Sequence, residues 1–162
     1  MLGVEIFLFD TLKPVDETSE KSWGEFSETA KMLFQLAQKE DIAIIATAQL
    51  SSESHKRRHL DLSCIGKSRA IAETAGQVTM FRTMREDEKE KLFVYKFEKD
   101  DRGKYTKTKK QVVLDESKDY IILFVAKNRY GGTPQIVYER NMDFNYYTEV
   151  GYCNIKYDGF AS

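Results

Sequence analysis

The sequence predicts an α/β fold, with parallel strands joined by a crossover helix and followed by antiparallel hairpins. Three observations predict it. Residues 4–9 (Val-Glu-Ile-Phe-Leu-Phe) and 42–48 (Ile-Ala-Ile-Ile-Ala-Thr-Ala) are short apolar runs with polar boundaries, the pattern of strands buried in a parallel sheet. Between them Trp23, Phe26, Ala30, Leu33, Phe34 and Ala37 recur at helical spacing, which gives an amphipathic helix ending near Lys39. A strand, a helix and a strand in that order make a right-handed crossover and a parallel pair. Further on, the run 120–126, the turn Tyr-Gly-Gly-Thr-Pro (130–134) and the run 135–139 read as an antiparallel hairpin.

The intervening elements follow from local chemistry. Lys13-Pro14-Val15-Asp16 reads as a loop, and Ser22 and Glu25 have the spacing of a capping box that starts the helix. Asp41 punctuates it. Residues 51–62 are polar and basic, so a loop is expected; 68–75 read as a short helix and 77–82 as a strand. Between 84 and 118, apolar patches at 92–97 and 112–114 flank a charged stretch turning at Asp101-Arg102-Gly103-Lys104, which predicts a solvent-facing β-hairpin insertion. The tail, 141–162, carries four tyrosines and is expected to pack on the body of the fold.

Composition bounds the function classes. A chain of 162 residues is expected to bury one core, so 1–162 is read as a single domain. With 25 basic and 26 acidic residues, global charge argues for no nucleic-acid role, and any such case rests on local clusters. Cys64 and Cys153 are far apart and lack partners at ligand spacing, so neither a disulfide framework nor a zinc site is expected. No apolar run reaches membrane-spanning length and the N-terminus lacks a basic leader, so a soluble, cytoplasmic chain without a membrane partner is expected.

Four stretches carry chemistry. Glu-Ile-Phe-Leu-Phe-Asp-Thr-Leu (5–12) is a strand ending in a carboxylate, Asp10. Ile-Ile-Ala-Thr-Ala-Gln-Leu (44–50) is a strand ending in an amide, Gln49, which can donate and accept at once. Residues 55–69 set Lys56, Arg57, Arg58, Lys67 and Arg69 against one acid, Asp61, a local net of +4 suited to phosphate. Phe-Val-Ala-Lys-Asn-Arg-Tyr-Gly-Gly-Thr (124–133) ends a strand in basic residues, and alternation places Lys127 and Arg129 on one face and Asn128 on the other.

In this order the four resemble the DnaB-like replicative DNA helicases, from the Walker B strand of their RecA-like ATPase domain onward. The resemblance covers roughly residues 4–140 and implies a partial RecA-like P-loop NTPase core. It implies Asp10 on Mg²⁺, Gln49 sensing the γ-phosphate, and Lys127 and Arg129 reaching a neighbour's ATP, the arginine as a finger. Lys56, Arg57, Arg58, Lys67, Ser68 and Arg69 fall where the family grips single-stranded DNA. The loop departs from the family there, with Gly-Lys-Ser-Arg (66–69) in place of the usual Arg-Glu-Ser-Gly. The intact motor would be a hexameric ring of phage or bacterial origin that uses ATP and Mg²⁺ to unwind DNA, with primase or a helicase loader as partners.

The phosphate loop and the catalytic glutamate that the family carries before Walker B have no counterpart in these 162 residues. Asp-Leu-Ser-Cys-Ile-Gly-Lys-Ser (61–68) imitates a phosphate loop, but Asp61 replaces its first glycine and no apolar strand precedes it. This chain alone is therefore expected to bind no nucleotide tightly and to hydrolyse none. Two other readings stay open: a non-catalytic protein that joins a helicase ring, and a fragment of a RecA- or RadA-like recombinase. His55 and His59 are spaced as metal ligands on a helix could be, but a phosphate-contacting or exposed role is expected of them.

Overall fold

The computed structural model describes residues 5–12, 20–50, 52–65, 69–156 and 159–160, with side chains from 27 in the first helix and from 72 in the second. Where the length predicts one domain, the chain groups into two compact units: Met1–Lys56 with Asp61–Val78, and Arg57–Leu60 with Thr79–Ser162.

The first unit is the strand–helix–strand module. Strand β1 (Ile6–Leu12) pairs in parallel with β2 (Ala43–Ala48), and helix α1 (Glu20–Glu40) connects them. Helix α1 begins before Ser22, which therefore lies within its first turns rather than at its cap. It ends because Asp41 adopts a left-handed conformation, φ 52°, and the Ile42 amide closes back on the Ala37 carbonyl at 3.1 Å. The two strands were expected to be buried, yet Ile6, Leu8 and Ile45 are exposed, because a sheet of two strands leaves most of its surface uncovered.

Residues 51–62, expected as loop, contain a 3-10 helix at Ser52–Lys56, and another follows at Leu62–Ile65. Helix α2 (Arg69–Thr74) comes next. The Asp61 carboxylate accepts from the Ser63 amide at 2.9 Å, and the Asp61 carbonyl accepts from Cys64 at 2.9 Å. The stretch that imitates a phosphate loop thus turns its amides inward, into a helical turn with buried Cys64 and Ile65. Gly66, Lys67 and Ser68 lie outside the described residues.

The second unit is built on a six-stranded sheet in the order β3-β6-β7-β8-β4-β5. Its strands are β3 (Gln77–Thr83), β4 (Val94–Lys99), β5 (Tyr105–Val112), β6 (Asp119–Asn128), β7 (Gln135–Asn141) and β8 (Tyr146–Cys153). Helix α3 (Glu86–Lys91) precedes β4, so the stretch 84–118 holds a helix as well as a hairpin. That hairpin joins the larger sheet, since β4 pairs with β8 through Tyr95 and Tyr152. Alternation along β6 buries Tyr120, Ile122 and Phe124 on one face and leaves Ile121 and Leu123 half-buried on the other. Val94, Val137, Ile155 and Leu60 complete the core. The tail pairs as β8 against β7, then as the short antiparallel pair β9 (Ile155–Lys156) and β10 (Gly159–Phe160).

Candidate functional site

The parallel register decides what surrounds Asp10. Phe9 aligns with Ala46, the register shifts before Leu12 meets Ala48, and in that irregular stretch the Asp10 and Thr47 side chains meet. Asp10 Oδ1 accepts from Thr11 Oγ1 at 2.8 Å and from Thr47 Oγ1, and the two hydroxyls also meet. The Asp10–Thr11 peptide is cis. Gln49 follows immediately after β2, exposed, at the same C-terminal end of the strand pair. Sheets of this kind place ligands beyond the carboxyl ends of their parallel strands. Sequence reasoning singled out Asp10 and Gln49 and not Thr11 or Thr47, although Thr11 adjoins Asp10 and Thr47 lies two residues before Gln49.

Carboxylate and hydroxyl oxygens are hard donors of the kind Mg²⁺ takes. A site of one carboxylate, completed by water and phosphate oxygens, suits that ion. No group of three or more His, Cys, Asp or Glu gathers to cage a metal among the described residues.

The Lys-Asn-Arg stretch lies in the second unit. Strand β6 ends at Asn128, and Arg129 opens the turn, so strand alternation does not extend to the arginine as expected. The Asn128 side chain shapes that turn. Its Oδ1 accepts from the Tyr130 amide at 3.1 Å, and its Nδ2 donates to the Gly132 carbonyl at 3.3 Å. A Cβ on Gly131 would lie 2.9 Å from Asn128 Nδ2, so a larger residue there would displace that side chain. Lys127 is half-buried at the strand end and Arg129 is exposed.

The basic stretch divides. Lys56 and Arg57 are exposed, the Arg69 side chain lies outside those described, and Arg58 is committed elsewhere. Its guanidinium grips Asp87 at 2.6 and 3.3 Å and reaches Glu88 at 3.2 Å. These bonds raise the Arg58 pKa, with the Asp87 hydrogen bond first among the causes. Glu88 is fully buried and is also held by Arg82, through two bonds of 2.7 Å, and by the Arg85 amide at 2.8 Å. Burial pushes its carboxyl up, but the Arg82 bonds, the Arg85 amide and the two guanidinium charges together hold it below the ordinary glutamate value. Arg82 Nε and Nη2 donate to the Arg58 carbonyl at 2.9 and 2.6 Å. His59, expected on the surface, packs edge-on against Phe124 with ring centroids 5.5 Å apart. Burial lifts the Cys153 thiol to about 12, so it has no nucleophilic role at neutral pH.

No protein-family model matches the chain, and no curated protein matches it in sequence. Solved structures do match its fold. A DnaB-like replicative helicase, studied with its interactions with primase, superposes with a TM-score of 0.60 at 19% identity, over 88% of this chain and 30% of that one. The fold is that of part of a DnaB-like helicase ATPase domain. A second solved structure, itself an ATPase domain, gives a TM-score of 0.57 at 18% identity over 90% of this chain and 44% of the other. The chain thus spans less than half the length of either protein. No helix among the described residues is long and apolar enough to cross a membrane.

Proposed function

We propose that the chain is the C-terminal portion of the ATPase domain of a DnaB-like hexameric replicative helicase, acting on single-stranded DNA in the cytoplasm. The observation that carries this reading is the convergence of Asp10 and Gln49 at the C-terminal end of one parallel strand pair. In the intact motor Asp10, oriented by Thr11 and Thr47, holds Mg²⁺ through water, and Gln49 contacts the γ-phosphate of ATP. Lys127 and Arg129 serve the nucleotide of the neighbouring subunit, where a planar, permanently charged guanidinium meets charge spread over the transferring phosphoryl group. Lys56, Arg57 and the stretch 67–69 face the DNA; primase or a loader binds the assembled ring.

The test is ATP hydrolysis. The 162-residue chain is expected to show background turnover with or without single-stranded DNA, since it contains no Gly-x-x-x-x-Gly-Lys-Ser run. DNA-stimulated hydrolysis by this chain alone would overturn the division of labour. In an assembled motor carrying these residues, Arg129→Ala is expected to lower kcat by about a thousandfold or more with nucleotide binding retained. A fall in binding with kcat unchanged would instead remove Arg129 from the reaction. A second reading is a non-catalytic ring partner. That reading requires the chain to co-elute with a full-length helicase without any Arg129 effect on turnover.

A further inference from the structure

The β4–β5 hairpin carries an uneven charge. Residues 94–112 hold seven basic and three acidic side chains, a net of +4 in a chain whose overall charge is −1. One of those acids is spent on the turn, where the Asp100 carboxylate accepts from the amides of Arg102 and Lys104 at 3.0 and 2.8 Å. From the turn into β5, Lys104, Lys107, Lys109 and Lys110 run without an acidic residue between them.

Beside this charge lies a row of rings. Strand alternation puts Phe93, Tyr95 and Phe97 on one side of β4, and β8 adds Tyr152 next to Tyr95. Ring centroids are 5.9 Å apart for Phe93 and Tyr95, 5.5 Å for Tyr95 and Phe97, and 5.6 Å for Phe97 and Tyr152. Lys109 Nζ stands 4.1 Å from the Tyr95 centroid, and Lys99 Nζ stands 4.8 Å from that of Tyr105. Phe93 is 46% exposed and Tyr105 67%. On the opposite side of β4 only Val94 is buried, while Lys96 and Glu98 are exposed; Tyr95 and Phe97 are half-buried, so the ring row is only partly covered.

We infer that the surface formed by Phe93, Tyr95, Phe97, Tyr105, Tyr152 and Lys109 binds single-stranded nucleic acid. Bases stack on the exposed rings, and Lys107 and Lys109, on the same face by register, meet the phosphates. Ring faces suit any base and ammonium groups suit any phosphate, so the surface tolerates all sequences. A duplex hides its base faces in its own stack and offers only the electrostatic part. The inference rests on the second unit alone and goes beyond the helicase reading, which places DNA at 56–69.

The test is fluorescence anisotropy of a labelled oligothymidylate titrated with the full 162-residue chain at several salt concentrations. Binding is expected, weaker for a duplex of equal length. Phe93→Ala and Tyr105→Ala are each expected to weaken it about tenfold, while Phe93→Tyr and Tyr105→Phe restore it. Lys107→Glu with Lys109→Glu weakens binding and flattens its salt dependence. Unchanged thermal melting shows that each variant folds. No binding at low salt, equal affinity for duplex and single strand, or ring variants that bind as the unaltered chain does would each overturn the inference. Loss confined to Lys56→Glu with Arg57→Glu would also overturn it and favour the 56–69 loop. Loss confined to the hairpin variants upholds it, even where the ATP experiments go against the helicase reading.

Discussion

Glu88 is a carboxylate without access to water, and its surroundings decide whether that costs or stabilises. Two guanidiniums, from Arg82 and Arg58, and the Arg85 amide occupy its oxygens, and the same arginines tie residues 57–60 to β3 and α3. Removing one partner of such a cluster strands the others in a dry site. Glu88→Ala is expected to cost about 3–5 kcal/mol by urea unfolding; a loss under about 1 kcal/mol would mean that water reaches the arginines. The pH dependence follows from the lowered carboxyl. A group depressed in the folded state contributes stability above its unfolded pKa and loses it as pH falls through the folded value. The gap between the unaltered protein and Glu88→Gln is therefore expected to hold at neutral pH and to close below the ordinary glutamate range.

Strand contacts raise a different question, because β4 must lie against β8, far along the chain, and the fit there leaves no room for a side chain. A Cβ on Gly151 would stand 2.6 Å from the Tyr95 carbonyl oxygen and 3.3 Å from Val94 Cγ1. Backbone cannot yield as a flexible side chain does, so Gly151→Ala is expected to cost about 1–3 kcal/mol. Hydrogen exchange along β4 and β5 should quicken ahead of that along β6 and β7; uniform quickening would count against local parting of the strands. Legibility divides along the same line. The strands expected over 4–9, 42–48 and 120–126 and helix α1 were readable because each is a local pattern of apolar spacing, and the position of Asp10 and Gln49 near strand ends was readable because strand ends are local too. The β4–β8 pairing, the burial of Leu60, the packing of His59 on Phe124, and the pairing of Arg58 with Asp87 depend on partners remote in sequence. Glu-Asp-Glu-Lys-Glu-Lys (86–91) reads as solvated charge, and nothing in its spacing marks Glu88 as buried.

At the scale of the whole molecule, the outstanding feature is apolar surface on the parallel pair. Leu8 is 70% exposed, Ile6 58% and Ile45 56%. Parallel strands are ordinarily covered on both faces, and a pair in isolation offers unpaired edges besides. Contiguous apolar surface bounded by open strand edges drives association. The isolated chain is therefore expected to self-associate, with an apparent mass in sedimentation that rises with concentration. Leu8→Lys and Ile45→Lys should shift it toward the monomer. At sites so open a lysine costs the fold only about 0.5 kcal/mol or less, so melting temperatures should barely move while the mass falls. Were the mass concentration-independent in the unaltered chain, or unmoved by either lysine, the strands would not be the adhesive surface. A lysine that disperses the chain and leaves the binding of oligothymidylate intact would further separate the exposed strands of the first unit from the aromatic surface of the second.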